Sequence, residues 1–309
     1  MLSAMVSESG RAAPPATRAL PVAAAWVVML VASALPVILV RELEFAPLSA
    51  VRPVQLAGLG VALLASRLVT ALRPLRLVAA IFLVVHVAEW LVFEIGAPLL
   101  SAALGGDGFV AGMLAVQLPR LGLALVVIAA ALPLLGGRRA FFLARGDLAA
   151  TASPIRGIGV MKPTRWNRLA PVLTICLAGG TLAFLMIAGG APLANLAGAA
   201  PLLPFVLVFA AINAFGEEVT YRAPQLALLT PAVGAARGLL ITAVYFGLAH
   251  YYGVPYGIVG VLMSAALGWL LGRSMLETKG LFWAWFIHFV MDVVIFTFLA
   301  AGSVTPGGR

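Results

Sequence analysis

The chain has 309 residues, 63% hydrophobic and only 10% charged, with 20 Lys+Arg against 11 Asp+Glu. Soluble domains carry about 25% charged residues, so a soluble globular protein is excluded and an all-α, polytopic transmembrane helix bundle is expected. The net charge of +9 sits in clusters between apolar runs, a positive-inside pattern that speaks against a nucleic-acid partner.

Residues 1–18, rich in Ser, Ala and Pro with Arg11 and Arg18, read as a disordered tail. The apolar run 19–40 contains Ala32-Ser33-Ala34, which resembles a signal-peptidase site, but it continues beyond and reads as an uncleaved anchor. At about 20 apolar residues per span, the candidates are 19–40, 54–72, 77–95, 112–135, 169–189, 202–229, 235–252, 255–275 and 280–301, so about eight or nine spans. Arg67 and Arg120 make the second and fourth the least regular. His86, with Glu89 one turn later in the third, reads as a local hydrogen-bonding pair. Cys176 is the single cysteine, which excludes an intrachain disulfide; it falls in an apolar segment and reads as a small core residue.

The loop 136–168 carries Arg138, Arg139, Arg145, Arg156, Lys162, Arg165 and Arg168 against only Asp147, and reads as a cytoplasmic topology determinant. The segments 94–110 and 190–201 contain no Lys or Arg, as exterior loops should. The basic loop separates N-terminal transmembrane helices (19–135) from a C-terminal bundle (169–301), followed by a tail at 302–309. Trp166, Trp283, Trp285, Tyr251, Tyr252 and Tyr256 stand at span ends and read as interfacial anchors. Gly260, Ser264, Gly268 and Gly272 recur every four residues, a ladder for close helix packing within the chain. Two Lys against 18 Arg, with abundant Ala and Gly, point to a GC-rich bacterial genome and an inner-membrane location.

The chemistry lies in the C-terminal part. Glu217-Glu218-Val-Thr-Tyr-Arg222 interrupts an apolar helix, where each ionised side chain costs about 2.5–3.5 kcal/mol or more at the bilayer centre. On one continuous helix over 202–229, Glu218 and Arg222 are i and i+4 and can pair. Glu217 points about 100° away and shares its face with Asn213. A break at 231–234 makes an antiparallel hairpin that brings Glu217 level with His250. Phe246 and His250, and likewise His288 and Asp292, are i and i+4 on their own helices. A carboxylate beside an imidazole polarises a water molecule, and a second imidazole stabilises the oxyanion formed when that water attacks an amide. Alternatively, Glu217, His250, His288 and Asp292 hold a divalent metal such as Zn²⁺, which acidifies the same water. Both routes lead to hydrolysis, and neither requires an organic cofactor.

These motifs, EExxxR, FxxxH and HxxxN/D in order over roughly 169–301, resemble those of the CPBP family, the CAAX prenyl protease and bacteriocin-processing intramembrane proteases. The resemblance implies a membrane-embedded endopeptidase acting on a peptide or protein substrate. In it Glu217 would activate water with His250 as partner, and Glu218 and Arg222 would orient and charge-balance the site. His288 and Asp292 would face the oxyanion, while Asn213 and Phe246 support the site. The sequence departs from the family twice. Ala223-Pro224 follows the motif Arg where members often have Gly, a change expected to kink the helix. The third motif ends in Asp292, not Asn; an ionised Asp donates no hydrogen bond, so it is better cast as an orienter of His288 or a metal ligand. Two other readings stand beside the protease: a non-catalytic scaffold or bacteriocin-immunity protein of the same family, and an ion- or proton-coupled transporter.

Overall fold

A computed structural model describes residues 15–104, 108–187 and 196–302. Most of the expected N-terminal and C-terminal tails, and parts of the 94–110 and 190–201 loops, lie outside the described residues.

Thirteen α-helices are found among the described residues. They are α1 (Pro15–Ala32), α2 (Leu35–Leu43), α3 (Val51–Leu68), α4 (Arg76–Glu89), α5 (Ala97–Leu104), α6 (Phe109–Leu135), α7 (Trp166–Ile187), α8 (Leu196–Ala199), α9 (Leu203–Tyr221), α10 (Ala223–Val233), α11 (Ala235–Ala249), α12 (Ile258–Thr278) and α13 (Phe282–Ala300). Seven continuous helical stretches are long and apolar enough to cross a membrane, and the bent pair α1–α2 makes an eighth. The expected all-α transmembrane bundle is what forms.

Three breaks shape it, each with a local cause. The first is the 56° bend between α1 and α2, within the expected 19–40 span. Pro36 lies just past the break, and the carbonyls left there are taken up by distant side chains. Gln55 donates to Val31 O (2.9 Å) and Ser33 O (3.0 Å), and His86 Nε2 donates to Ala32 O (2.8 Å). His86 is therefore more than a local partner of Glu89. It pins a helix end 54 residues away, and Arg52 joins it to Glu89 through Nη1 at 3.2 and 3.0 Å.

The second break divides the expected 202–229 helix at Arg222 (φ −138°, ψ −58°). Pro224 has no N–H for the Thr220 carbonyl four residues back, and its ring crowds that turn. Gln225 Nε2 donates to Thr220 O instead, at 2.5 Å. The third lies at Gly234 (φ 91°), which only glycine adopts without strain, and starts α11. This helix has 15 residues, about 22 Å at 1.5 Å per residue, short of the roughly 30 Å hydrocarbon layer. The expected span at 235–252 is thus too short to cross by itself.

Helix α10 joins the two halves of the chain. Its Leu228, Leu229 and Val233 share a core with Met29, Phe82 and Val127, whereas Ala223 and Leu226 pack with Leu271, Met275 and Ile287. The strongest helix pairings are α11 with α12, α9 with α13 and with α6, and α7 with α13. The glycine ladder lines the α11–α12 contact. A Cβ on Gly268 would sit 3.0 Å from Phe246 Cδ1, and one on Gly272 2.7 Å from Leu239 Cδ1. The expected packing within the chain is what the ladder does.

The basic loop is folded, not merely a charged connector. A short antiparallel ladder, β1 (Thr151–Ala152) with β2 (Thr164–Arg165), closes it. Backbone bonds from Asp147 N to Thr278 O and from Leu281 N to Ala144 O, both 2.8 Å, strap it to the α12–α13 turn. Trp166, expected at the interface, is fully buried and donates to Glu277 Oε2 at 2.8 Å. Trp283 is buried too and donates to Leu148 O at 3.1 Å. Both follow from the loop covering this end of the bundle. Cys176, expected in the core, lies on an exposed face of α7.

Candidate active site

Four helices, α6, α9, α11 and α13, bring their polar residues together. The adjacent carboxylates of α9 diverge as a helix requires. Glu218 is fully buried and ion-paired with Arg222 Nη1. The Arg222 guanidinium lies over the Phe246 ring, 4.4 Å from its centroid, a cation–π contact strengthened by desolvation. Gly268 and Gly272 leave the room for it, since a Cβ on either would lie 3.3–3.4 Å from Arg222 atoms.

Glu218 also accepts a hydrogen bond from His288 Nδ1 at 2.9 Å. His250 donates from Nδ1 to the Phe246 carbonyl at 2.8 Å. With Nδ1 committed in both rings, each presents Nε2 to the interior. Both Nε2 atoms lie 3.6 Å from the same oxygen, Glu217 Oε2. That oxygen is buried and has no hydrogen-bond partner. Phe246 packs against both imidazoles, with centroids 4.4 Å from His250 and 5.8 Å from His288.

The other oxygen of Glu217 is held. Asn213 Nδ2 donates to Glu217 Oε1 (3.2 Å) and to Asp292 Oδ2 (3.0 Å). Asn213 Oδ1 accepts from Gln117 Nε2 (3.2 Å) and Arg120 Nη1 (2.5 Å), and Arg120 also reaches Glu217 Oε1 at 3.4 Å. The orientation of the Asn213 amide follows: its nitrogen faces two carboxylates, its oxygen two donors. Asp292 Oδ2 is 3.7 Å from His288 Nε2, so the residue that orients His288 is Glu218, and Asp292 is tied to Asn213.

All eight sequence-derived site residues are thus gathered: Glu217, Glu218, Arg222, His250, His288, Asp292, Asn213 and Phe246. The route differs from the expected hairpin, because α10 intervenes and α9 touches α11 only lightly. Gln117 and Arg120 are additions. Their signal was an arginine and a glutamine one turn apart in an otherwise apolar α6, a costly placement without a partner.

Of the alternative Zn²⁺ set, Glu217 Oε2 lies 3.6 Å from His250 Nε2 and from His288 Nε2, and Asp292 Oδ2 lies 3.7 Å from His288 Nε2. Among the described residues no group of three or more His, Cys, Asp or Glu side chains is arranged to hold a metal ion. The Arg120 guanidinium beside Glu217 also adds a positive charge that repels a dication.

The site opens on one side. The side chain of Glu217 is 12% exposed, against 30% for His250 and 41% for Arg120. His250 and Arg120 are thus the most exposed of these three side chains.

No curated protein and no solved structure matches the chain. Residues 199–294 match the family model of Rce1-like type II CAAX prenyl endopeptidases. That segment runs from the start of α9 through most of α13 and contains every motif residue of the site. Residues 199–294 are accordingly similar to an Rce1-like CAAX endopeptidase domain, which is consistent with a protease of the CPBP family.

Proposed function

We propose that the chain is an intramembrane endopeptidase that hydrolyses a peptide bond with a water molecule activated by Glu217 and His250. The carrying observation is Glu217 Oε2, a buried oxygen without a hydrogen-bond partner, 3.6 Å from the Nε2 atoms of both histidines. Such distances exceed a direct hydrogen bond and suit a water bridging the three groups.

In this reading Glu217 takes a proton from the water as its oxygen attacks the carbonyl carbon. His250, whose Nε2 lone pair faces the same point, steadies the water. His288 has a carboxylate near each nitrogen, Glu218 at Nδ1 and Asp292 near Nε2. It can therefore hold both protons and present Nε2–H to the developing oxyanion. The proton on Glu217 then passes to the leaving nitrogen, the C–N bond breaks, and a carboxylate and an amine are released. Arg222 neutralises Glu218 without touching substrate.

The substrate is a peptide or protein at the membrane, admitted past His250 and Arg120. In this reading the protein belongs to the inner membrane of a bacterial cell, with the basic 136–168 loop in the cytoplasm, as the positive-inside rule supports.

Glu217→Gln keeps the shape and removes the base. Loss of one general base costs about 10²–10⁴-fold, so cleavage of a reporter peptide by the purified variant in nanodiscs should fall by that factor. Unchanged cleavage would remove Glu217 as the base, whereas absence of cleavage by the wild type itself would favour the scaffold and transporter readings.

A further inference from the structure

We propose that Arg120 is a positioning residue of the hydrolytic site, contributed by the N-terminal half of the chain from outside the segment that matches the Rce1-like family. The inference rests on Glu217 acting as the base.

The argument starts from the two oxygens of one carboxylate. Glu217 can activate a water only if Oε2 stays aimed between the imidazoles, and a glutamate side chain has three rotatable bonds with which to leave. What holds it is Oε1, gripped by Asn213 Nδ2 and Arg120 Nη1 at 3.2 and 3.4 Å. Asn213 does not stand alone. Its Oδ1 accepts from Arg120 and Gln117, both on α6, so the amide is fixed from that side. The backbone at Arg120 lies against α9 at Gly216, where a Cβ would be 3.7 Å from the Arg120 carbonyl oxygen. The guanidinium therefore arrives beside Glu217 through direct helix contact.

Charge points the same way. Glu217, Glu218 and Asp292 put three carboxylates in one site, and Arg222 is consumed by Glu218. Of the groups facing Glu217 from α6, α9, α11 and α13, Arg120 is the one permanent cation within ion-pair distance among the described residues. Without it, Glu217 and Asp292 would share Asn213 as their common donor and repel one another. Its side chain is 41% exposed, more than that of Glu217 at 12%.

The test compares wild type, Arg120→Ala, Arg120→Lys and Glu217→Gln in nanodiscs, measuring kcat and KM on one reporter peptide, with thermal unfolding as a check on folding. Arg120→Ala is expected to lower kcat by about 10²-fold, the cost of misplacing a reacting group by about an ångström, with KM changed little. Arg120→Lys should recover part of the loss. Added methylguanidinium should raise kcat of Arg120→Ala and leave wild type unchanged, an effect that a merely structural role does not produce. The proposal is overturned if Arg120→Ala keeps wild-type kcat, if the loss lies in KM, or if a folded variant responds to neither lysine nor methylguanidinium. If Glu217→Gln itself cleaves normally, the underlying protease mechanism has failed instead, a separate and recognisable result.

Discussion

Glu217 and Glu218 are neighbours in sequence and have opposite fates. Glu218 is sealed at 0% exposure with Arg222 on one side and His288 on the other, whereas Glu217 keeps one oxygen free of partners. A helix turns about 100° between adjacent residues, and that rotation sends one carboxylate into packing and the other toward the two imidazoles. The buried pair gives a sharp expectation. Arg222→Met leaves only His288 to balance the buried Glu218; breaking a buried ion pair costs about 3–5 kcal/mol and should lower the unfolding temperature markedly in detergent. Replacing both partners, as Glu218→Leu with Arg222→Met, should recover much of that stability, since no charge is stranded. It should not recover cleavage, because His288 Nδ1 loses its acceptor. Equal stability of the single and double variants would contradict this account of the pair.

Among the elements, α12 decides how closely α11 can approach, and with it the position of His250 and Phe246. Its glycines are spaces that Phe246, Leu239 and Arg222 occupy. Gly268→Val would drive a methyl into Phe246 and the Arg222 guanidinium. Overpacking of this kind costs about 1–3 kcal/mol, and here it would also tilt the ring that contacts both histidines. Cleavage should therefore fall further than stability alone predicts. Ser264→Ala, on the same ladder but only half-buried, serves as the control and should behave as wild type in both assays. The loop after His250 is tethered as well: Tyr252 and Tyr256 donate to Glu42 Oε1 at 3.3 and 2.7 Å, and Arg41 lies 4.8 Å from the Tyr252 ring. The end of α2 thus steadies the segment that carries His250.

For the whole molecule, the basic loop links the halves at one end of the bundle. Glu277 on α12 accepts from Ser153 N, Trp166 Nε1 and Arg273 Nε at 3.3, 2.8 and 3.2 Å. Arg273 also donates to the Ser153 and Pro154 carbonyls. Glu277→Ala removes these charge-assisted bonds, each worth about 1.5 kcal/mol or more. The locally open population should then rise about tenfold per bond lost. Limited trypsinolysis reads this at the loop's arginines: cleavage should speed up in the variant, and only in inside-out vesicles if the loop is cytoplasmic. Cleavage confined to right-side-out vesicles would reverse the topology.

The sequence alone determined the class and the cast. Sustained apolar runs force helices, because lipid offers no partner for an unsatisfied backbone. Ionisable groups amid those runs are too costly to be incidental, so Glu217, Glu218, Arg222, His250, His288 and Asp292 stood out before any fold was known. Short-range geometry was legible as well: the Glu218–Arg222 pair, Asn213 beneath Glu217, and the kink at Pro224 follow from helix periodicity and a missing N–H. Long-range assignments were not. His86 reaches a carbonyl 54 residues away, Trp166 turns inward to Glu277, and Arg120 joins a site 93 residues beyond it through Asn213. Spacing along one helix fixes which residues share a face, but which helix that face meets is settled only when all of them pack.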